Sequence, residues 1–273
     1  MNTSIQSRPK KRVKGVKFLQ FDSLMGLIDN RNLVLRIPGF FPTNYCEMIS
    51  AKMWEEPTFE RYSMAEDVPV RRIGMTLFET EQKKRKLNQY FREAIHTSEK
   101  LRSMCAPCLN PLDLLRLRLE EIWPGGAQIM TIRGKKMLPG IARMFEADAR
   151  GGLPPHQDIL GRDMPNLPKE MLPTAQLAAN IYLEVAPKGG ELELWDFAPS
   201  CEEFLTLMDG QYDFLDRAKL PPSEALLKPR MGELIIMRSD KVHAVHPSFG
   251  GSRLAMSCFI GYFGIDKPLT YWA

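Results

Sequence analysis

From about residue 128 onward the chain breaks into short apolar runs, at 141–147, 177–185, 191–195, 234–237 and 254–263, separated by turns containing proline or glycine. Several short strands at this spacing predict an antiparallel sandwich or barrel. The segment 200–226 interrupts that rhythm as a polar, partly helical insertion. Ahead of residue 128 the texture differs. Leu33-Val34-Leu35-Arg36-Ile37 predicts a strand ended by the Pro38-Gly39 turn. Segments 41–54, 80–103 and 111–123 predict helices, the last with Asn110 as N-cap and Pro111 at its first position. The Lys83-Lys84-Arg85-Lys86 run is a solvated helix face on this reading. Residues 1–17 carry Arg8, Lys10, Lys11, Arg12, Lys14 and Lys17 with almost no apolar partner, which predicts a basic flexible tail. The remainder, 18–273, reads as one domain: mainly helical support and pocket over 18–130, then a sheet core over 131–273. The fold class expected is mostly β with flanking helices.

At 273 residues and 44% hydrophobic, the chain can bury a substantial core without staples. A formal charge of +4 is too small to imply nucleic acid. No apolar run reaches the 18 residues or so that a membrane helix requires, and the N-terminus lacks the apolar stretch of a signal peptide. The 5 cysteines, Cys46, Cys105, Cys108, Cys201 and Cys258, are odd in number and scattered, which suits a reducing cytoplasm. Cys105-Ala106-Pro107-Cys108 has redox-pair spacing, but no second pair and no thioredoxin-like strand accompany it, and it reads as incidental.

Of the 4 histidines, His96 stands apart, while His156, His243 and His246 fall in two segments of the strand-rich half. His156-Gln157-Asp158 follows the proline-stiffened Leu153-Pro154-Pro155. In an extended chain, residues i and i+2 share a face, so His156 and Asp158 can converge while Gln157 faces away. A second imidazole from a distant strand would complete two imidazoles and one carboxylate, the facial set that holds non-haem Fe(II) and leaves three positions open. His243 and His246 compete for that place. Three residues apart on a strand, they face opposite sides, so one of them at most can join. Arg253 begins the next strand, where its planar fork could grip a carboxylate or form a surface salt bridge. Arg143 shares a strand face with Ile141 and Phe145, so its charge needs a partner: a ligand carboxylate or a structural ion pair. Asn180 to Leu194, with paired Gly189-Gly190, reads as a hairpin.

Four motifs occur in order: His156-x-Asp158; Tyr182-Leu183-x(5)-Gly189-Gly190-Glu191-Leu192; Pro229-x-x-Gly232-Glu233-Leu234-Ile235; and His243-x-Val245-x-Pro247-x(5)-Arg253. Over about 140–263 this order resembles the iron(II)/2-oxoglutarate-dependent oxygenases, and within them the prolyl-hydroxylase-like branch. Leu269-Thr270-Tyr271-Trp272 and Ile141-Ala142-Arg143-Met144 resemble the small-molecule halogenases of indole-alkaloid biosynthesis and their hydroxylase relatives. Hydroxylases of free or N-acylated amino acids are further relatives.

The resemblance implies a double-stranded β-helix core, the jelly roll of cupin-like proteins. It implies Fe(II) on His156, Asp158 and His243, with His243 preferred to His246. It also implies 2-oxoglutarate as co-substrate with Arg253 on its distal carboxylate and Arg143 nearby, and O2 as oxidant. The halogenases replace the carboxylate ligand with Gly or Ala. Asp158 is retained here, which implies hydroxylation of an unactivated C–H bond, with desaturation or epoxidation as variants. Succinate and CO2 are the co-products, and the substrate is a small molecule, an amino-acid derivative or biosynthetic intermediate. Arg72, Gly74 and Phe145 are candidate pocket residues, and Trp195 and Trp272 read as core or lid packing. The alternatives are a protein hydroxylase with an open groove and a jelly-roll binding protein without catalysis. A nucleic-acid demethylase is disfavoured, because such enzymes typically carry a second arginine shortly after the co-substrate arginine, and Leu254 to Phe259 contains none. No membrane partner is expected, and the location expected is cytoplasmic.

Overall fold

The computed structural model describes residues 12–57, 59–61, 70–146, 152–210 and 213–273. Its largest sheet runs in the order Arg12–Gly15, Asn32–Ile37, Leu234–Arg238, Ala175–Glu184, Arg253–Tyr262, Ile141–Phe145, Val70–Ile73 and Glu60–Arg61. Leu269–Trp272 pairs with a further stretch of the Arg253 strand. A smaller sheet runs in the order Ala225–Leu227, Leu192–Leu194, His243–Val245 and Leu153–His156. The two sheets face each other as a jelly roll.

Period-2 alternation decides what each face of the large sheet does. Leu254, Met256 and Ile260 on one strand, Leu177, Ala179 and Ile181 on the next, and Ala142 and Met144 on a third pack in one core with Leu24, Leu27, Ile49, Met53, Leu101, Leu115 and Leu119 from the N-terminal helices. The intervening residues Arg253, Ala255, Ser257, Ala178, Asn180, Tyr182, Ile141, Arg143 and Phe145 line a cavity between the sheets. Beside the cavity, which Met237, Leu192 and Val245 also line, Leu33, Val34, Ile235 and Met237 meet Leu192, Leu194, Leu227 and Val245 of the small sheet.

The helices are Phe21–Ile28, Thr43–Trp54, Lys84–Cys105 and Pro111–Ile122, with the short Leu160–Asp163 and Cys201–Leu207 in the second half. Asn110 caps Pro111–Ile122 as its sequence predicts, its Oδ1 accepting from the Leu112 N–H at 2.8 Å. Helix and strand content are nearly equal, so the flanking helices contribute more than their sequence signal suggested.

Two expectations are corrected. Asn180 to Leu194 is not a hairpin: the Ala175 strand already has neighbours on both edges, Leu234–Arg238 and Arg253–Tyr262, so no edge is left for Leu192–Leu194. The chain instead crosses to the small sheet, and the Gly189 region pairs with Ser248–Phe249 on the way. The tail expected over 1–17 also ends early. Arg12–Gly15 pair in parallel with Asn32–Ile37, which otherwise would be an unpaired sheet edge. Residues 1–11 lie outside those described.

Glu233 of the Gly-Glu-Leu-Ile motif is fully buried and accepts from Arg36 Nε at 2.7 Å and Nη2 at 2.6 Å, and from the Arg230 N–H at 2.9 Å. This bidentate pair ties two strands of the large sheet together.

Candidate metal centre

The strand Leu153–His156 lies antiparallel to His243–Val245 with His156 directly opposite His243. Gly152 makes that approach possible, since a Cβ there would sit 1.8 Å from the Val245 carbonyl oxygen. The two imidazole centroids are 4.2 Å apart. His156 Nδ1 lies 2.7 Å from the Pro154 carbonyl oxygen and His243 Nδ1 lies 2.9 Å from that of Lys241. A carbonyl can only accept, so each Nδ1 carries a proton and each Nε2 of the neutral rings presents a lone pair.

Asp158 sits just past the strand. Its backbone N–H donates to the Ser239 carbonyl at 2.9 Å, and its carbonyl accepts from Gln176 Nε2 at 3.0 Å. So held, its Oδ2 is 3.8 Å from His156 Nε2 and 3.2 Å from His243 Nε2. The three donor atoms lie within 4.8 Å of one another, and no other group of this kind occurs among the described residues. Donors about 2.1 Å from one ion at right angles would be about 3 Å apart, so this set fits an octahedral metal with small adjustment. Two lone pairs and a carboxylate oxygen converging on one point repel unless a proton or a cation sits between them.

Electrostatics agree. Burial pushes His156 down to about 4, and the neighbouring His243 adds to the shift, so the ring is neutral near pH 7. For Asp158, burial works to raise the carboxyl, but the His243 and His156 imidazoles and the Arg143 guanidinium beside it outweigh that. The carboxyl is held well below the usual range.

The triad opens into a cavity of about 160 Å³. Arg253, which also lines it, is 4% exposed, its guanidinium 4.7 Å from the Phe145 ring centroid and 5.1 Å from that of Tyr182. Nη2 donates weakly to the Tyr182 hydroxyl at 3.4 Å, while Nε and Nη1 are buried with no hydrogen-bond partner among the described residues. Orphaned guanidinium donors are costly to bury and match a planar carboxylate. The cavity therefore suits a metal on the triad and an anionic group on Arg253. Arg143 lines the same cavity one strand over, its Nη1 3.4 Å from Ser257 Oγ.

His246 points to the other side, as its spacing predicts, with Nε2 2.8 Å from Glu193 Oε2. Two candidate pocket residues are corrected. Arg72 is buried away from the cavity, paired with the fully buried Glu79 and with Glu60 at 3.2 Å. Gly74 has φ of 101° and packs so closely that a Cβ would lie 2.7 Å from Ile141 Cγ2, so its role is conformational. Trp195 and Trp272 are core residues, 2% and 1% exposed.

Sequence reading missed Tyr182, Arg162, Asp163, Asp213 and Phe214 as cavity residues. Tyr182 had a usable signal, since it alternates with Asn180 and Ala178 on one strand face. The others lie on a four-residue helix and an insertion, which carry no period. Phe214 meets His156 edge-on at 6.1 Å, and burial, together with the Asp158 charge, pushes the Asp163 carboxyl up to about 8.

Residues 140–261 match the family model of the 2OG-Fe(II) oxygenase superfamily. The L-isoleucine 3(1)-dioxygenase of Pantoea ananatis (strain AJ13355) is 28% identical over 124 residues, which are 44% of this chain and 42% of that protein. The chain thus aligns with about two fifths of that curated relative. Among solved structures, the complex of an N-substituted L-amino acid dioxygenase with alpha-KG, from Burkholderia ambifaria AMMD, superposes with a TM-score of 0.65 at 18% identity, covering 92% of this chain and 90% of that one. The carbocyclase SnoK from nogalamycin biosynthesis gives 0.50 at 12% identity, covering 93% and 97%. Both likenesses are of fold.

Proposed function

We propose that this chain, whose residues 140–261 match the family model of the 2OG-Fe(II) oxygenase superfamily, is an Fe(II)/2-oxoglutarate-dependent dioxygenase that hydroxylates an unactivated C–H bond of a small amino-acid derivative or biosynthetic intermediate. The observation that carries this reading is the pairing, in one cavity, of three converging metal donors with an arginine whose buried guanidinium meets no carboxylate among the described residues.

In this reading His156, Asp158 and His243 hold Fe(II), their Nδ1 hydrogen bonds fixing which ring nitrogen faces the metal. Arg253 takes the distal carboxylate of 2-oxoglutarate, and Phe145 and Tyr182 sandwich its guanidinium and exclude water. Arg143 borders the space between them and adds positive charge beside Asp158. Bound Fe(II), 2-oxoglutarate and O2 supply the oxidising chemistry, releasing succinate and CO2. The protein's part is to orient the reactants and keep the site dry.

Asp213 and Phe214 of the insertion wall the cavity, which favours a small substrate over a peptide laid in an open groove. We read the helical 18–130 and the 131–273 core as one catalytic unit. We also propose a cytoplasmic location, a reading that the five free cysteines and the need to keep iron reduced support. Among the described residues no helix is long and apolar enough to cross a membrane.

The test is succinate release from 2-oxoglutarate by the Fe(II)-loaded protein across a panel of amino acids and N-acyl amino acids. Substrate-dependent succinate with a product 16 mass units heavier supports the reading. A folded, iron-binding protein that never consumes 2-oxoglutarate would instead be a binding protein on a jelly-roll frame.

A further inference from the structure

Among the described residues, Arg253 is not the cavity's only arginine without a carboxylate partner. Arg162 lies on Leu160–Asp163, directly after the Asp158 segment, and lines the same space. Its Nη2 donates to Gln157 Oε1 at 3.0 Å, and Gln157 Nε2 in turn donates to the Asp240 carbonyl at 2.6 Å. Its guanidinium carbon sits 3.7 Å from the Phe204 ring centroid of the insertion. Nη1 is buried and finds no hydrogen-bond partner among the described residues.

The guanidinium is thus fixed from two sides, by a residue adjacent to both His156 and Asp158 and by an aromatic face. It is in a costly state. Burial opposes its charge, and Asp213, Asp163 and Asp158 act on it through space, with no ion pair formed among the described residues. Asp163 offsets little near neutral pH, because its carboxyl keeps its proton there. A planar fork held this way is relieved by a carboxylate that accepts from it. The co-substrate brings one distal carboxylate, and Arg253 is placed for that one. Arg162 remains, against Phe204 of the insertion whose Asp213 and Phe214 line the same cavity.

We propose that Arg162 is a specificity-determining residue that grips a carboxylate of the organic substrate, so that the substrate is a carboxylate anion such as an amino acid, free or N-acylated. The proposal rests on reading the cavity as an oxygenase site, and its test separates the two. Protein loaded anaerobically with Fe(II) and 2-oxoglutarate is titrated calorimetrically with L-isoleucine, N-acetyl-L-leucine and their primary amides. The weak visible absorption of the iron–co-substrate chelate is followed in the same samples.

At least one acid should bind tenfold or more tighter than its amide. Arg162→Met should weaken that acid by roughly 10- to 100-fold, leave the amide within about twofold, and leave the chelate absorption intact. Arg162→Lys should recover part of the loss. A purely structural tie between Gln157 and Phe204 would weaken acid and amide alike. The inference is overturned if acid and amide bind equally, if Arg162→Met keeps the preference, or if no probe binds while the chelate forms. Should Arg162→Met not fold, the wild-type acid-to-amide ratio and Arg162→Lys decide the matter. If the wild-type protein forms no chelate, the oxygenase reading fails and this inference fails with it.

Discussion

His156 and His243 stand directly opposite one another across two antiparallel strands, and each ring turns its Nδ1 to a carbonyl two residues before it in the chain. That symmetry leaves both Nε2 atoms facing Asp158 Oδ2, at 3.8 and 3.2 Å. Residues 87 positions apart are thereby brought to one point by register alone.

His243→Ala should abolish tight Fe(II) binding, while His246→Ala should leave it within a few-fold, because His246 serves Glu193 on the opposite side. Asp158→Gly should lose hydroxylation. Equilibrium dialysis of the three variants against Fe(II), with succinate assays alongside, checks the assignment. Undiminished hydroxylation in Asp158→Gly would refute it.

Arg253→Met should weaken 2-oxoglutarate by roughly 10- to 100-fold, the scale of one lost charge-assisted contact. Fe(II) affinity in the absence of 2-oxoglutarate should not change. Titration of each in turn separates the effects, and equal losses in both would place Arg253 in the metal's own support.

Asp163 makes the metal-free protein pH-sensitive. Its carboxyl rises from 3.8 to about 8 in the folded state, so the fold keeps a proton the unfolded chain releases, and stability falls as pH climbs through that window. His156 works the other way, falling from 6.5 to about 4, which costs stability as pH drops through its own window. Between about pH 4 and 6.5 the two oppose each other. Above 6.5 only Asp163 remains, so the metal-free wild type should lose about 2 kcal/mol by pH 8, at about 1.4 kcal/mol per pH unit. Asp163→Asn should stay flat over that range in urea unfolding, and a parallel decline in the variant would contradict the assignment.

Glu233→Ala should destabilise the fold by about 3–5 kcal/mol, since it strands the Arg36 guanidinium beside the sheet. Urea midpoints give the value. A loss under about 1 kcal/mol would mean that Arg36 reaches solvent on its own.

Much of this site is written in local pattern. His156 and Asp158 share a face by period 2, and alternation also put Arg143 beside Ile141 and Phe145. Arg253 was legible as the head of an apolar strand. What was not legible depends on contacts between distant segments. Arg72 looked like a pocket arginine because nothing in the chain announces that Glu79 is buried against it. The Gly189-Gly190 turn looked like a hairpin because sequence shows turn chemistry but not which sheet edges are already taken. Arg162 lies on a helix of four residues, too short to carry a period, and it became visible only through the partner it lacks.

The most direct test of the central claim is anaerobic titration of the metal-free protein with Fe(II) and then 2-oxoglutarate, followed by visible absorption. The account predicts a weak chelate band that saturates at one equivalent, disappears in His243→Ala, and needs far more 2-oxoglutarate in Arg253→Met. A folded wild-type protein that binds Fe(II) without any such band would contradict it.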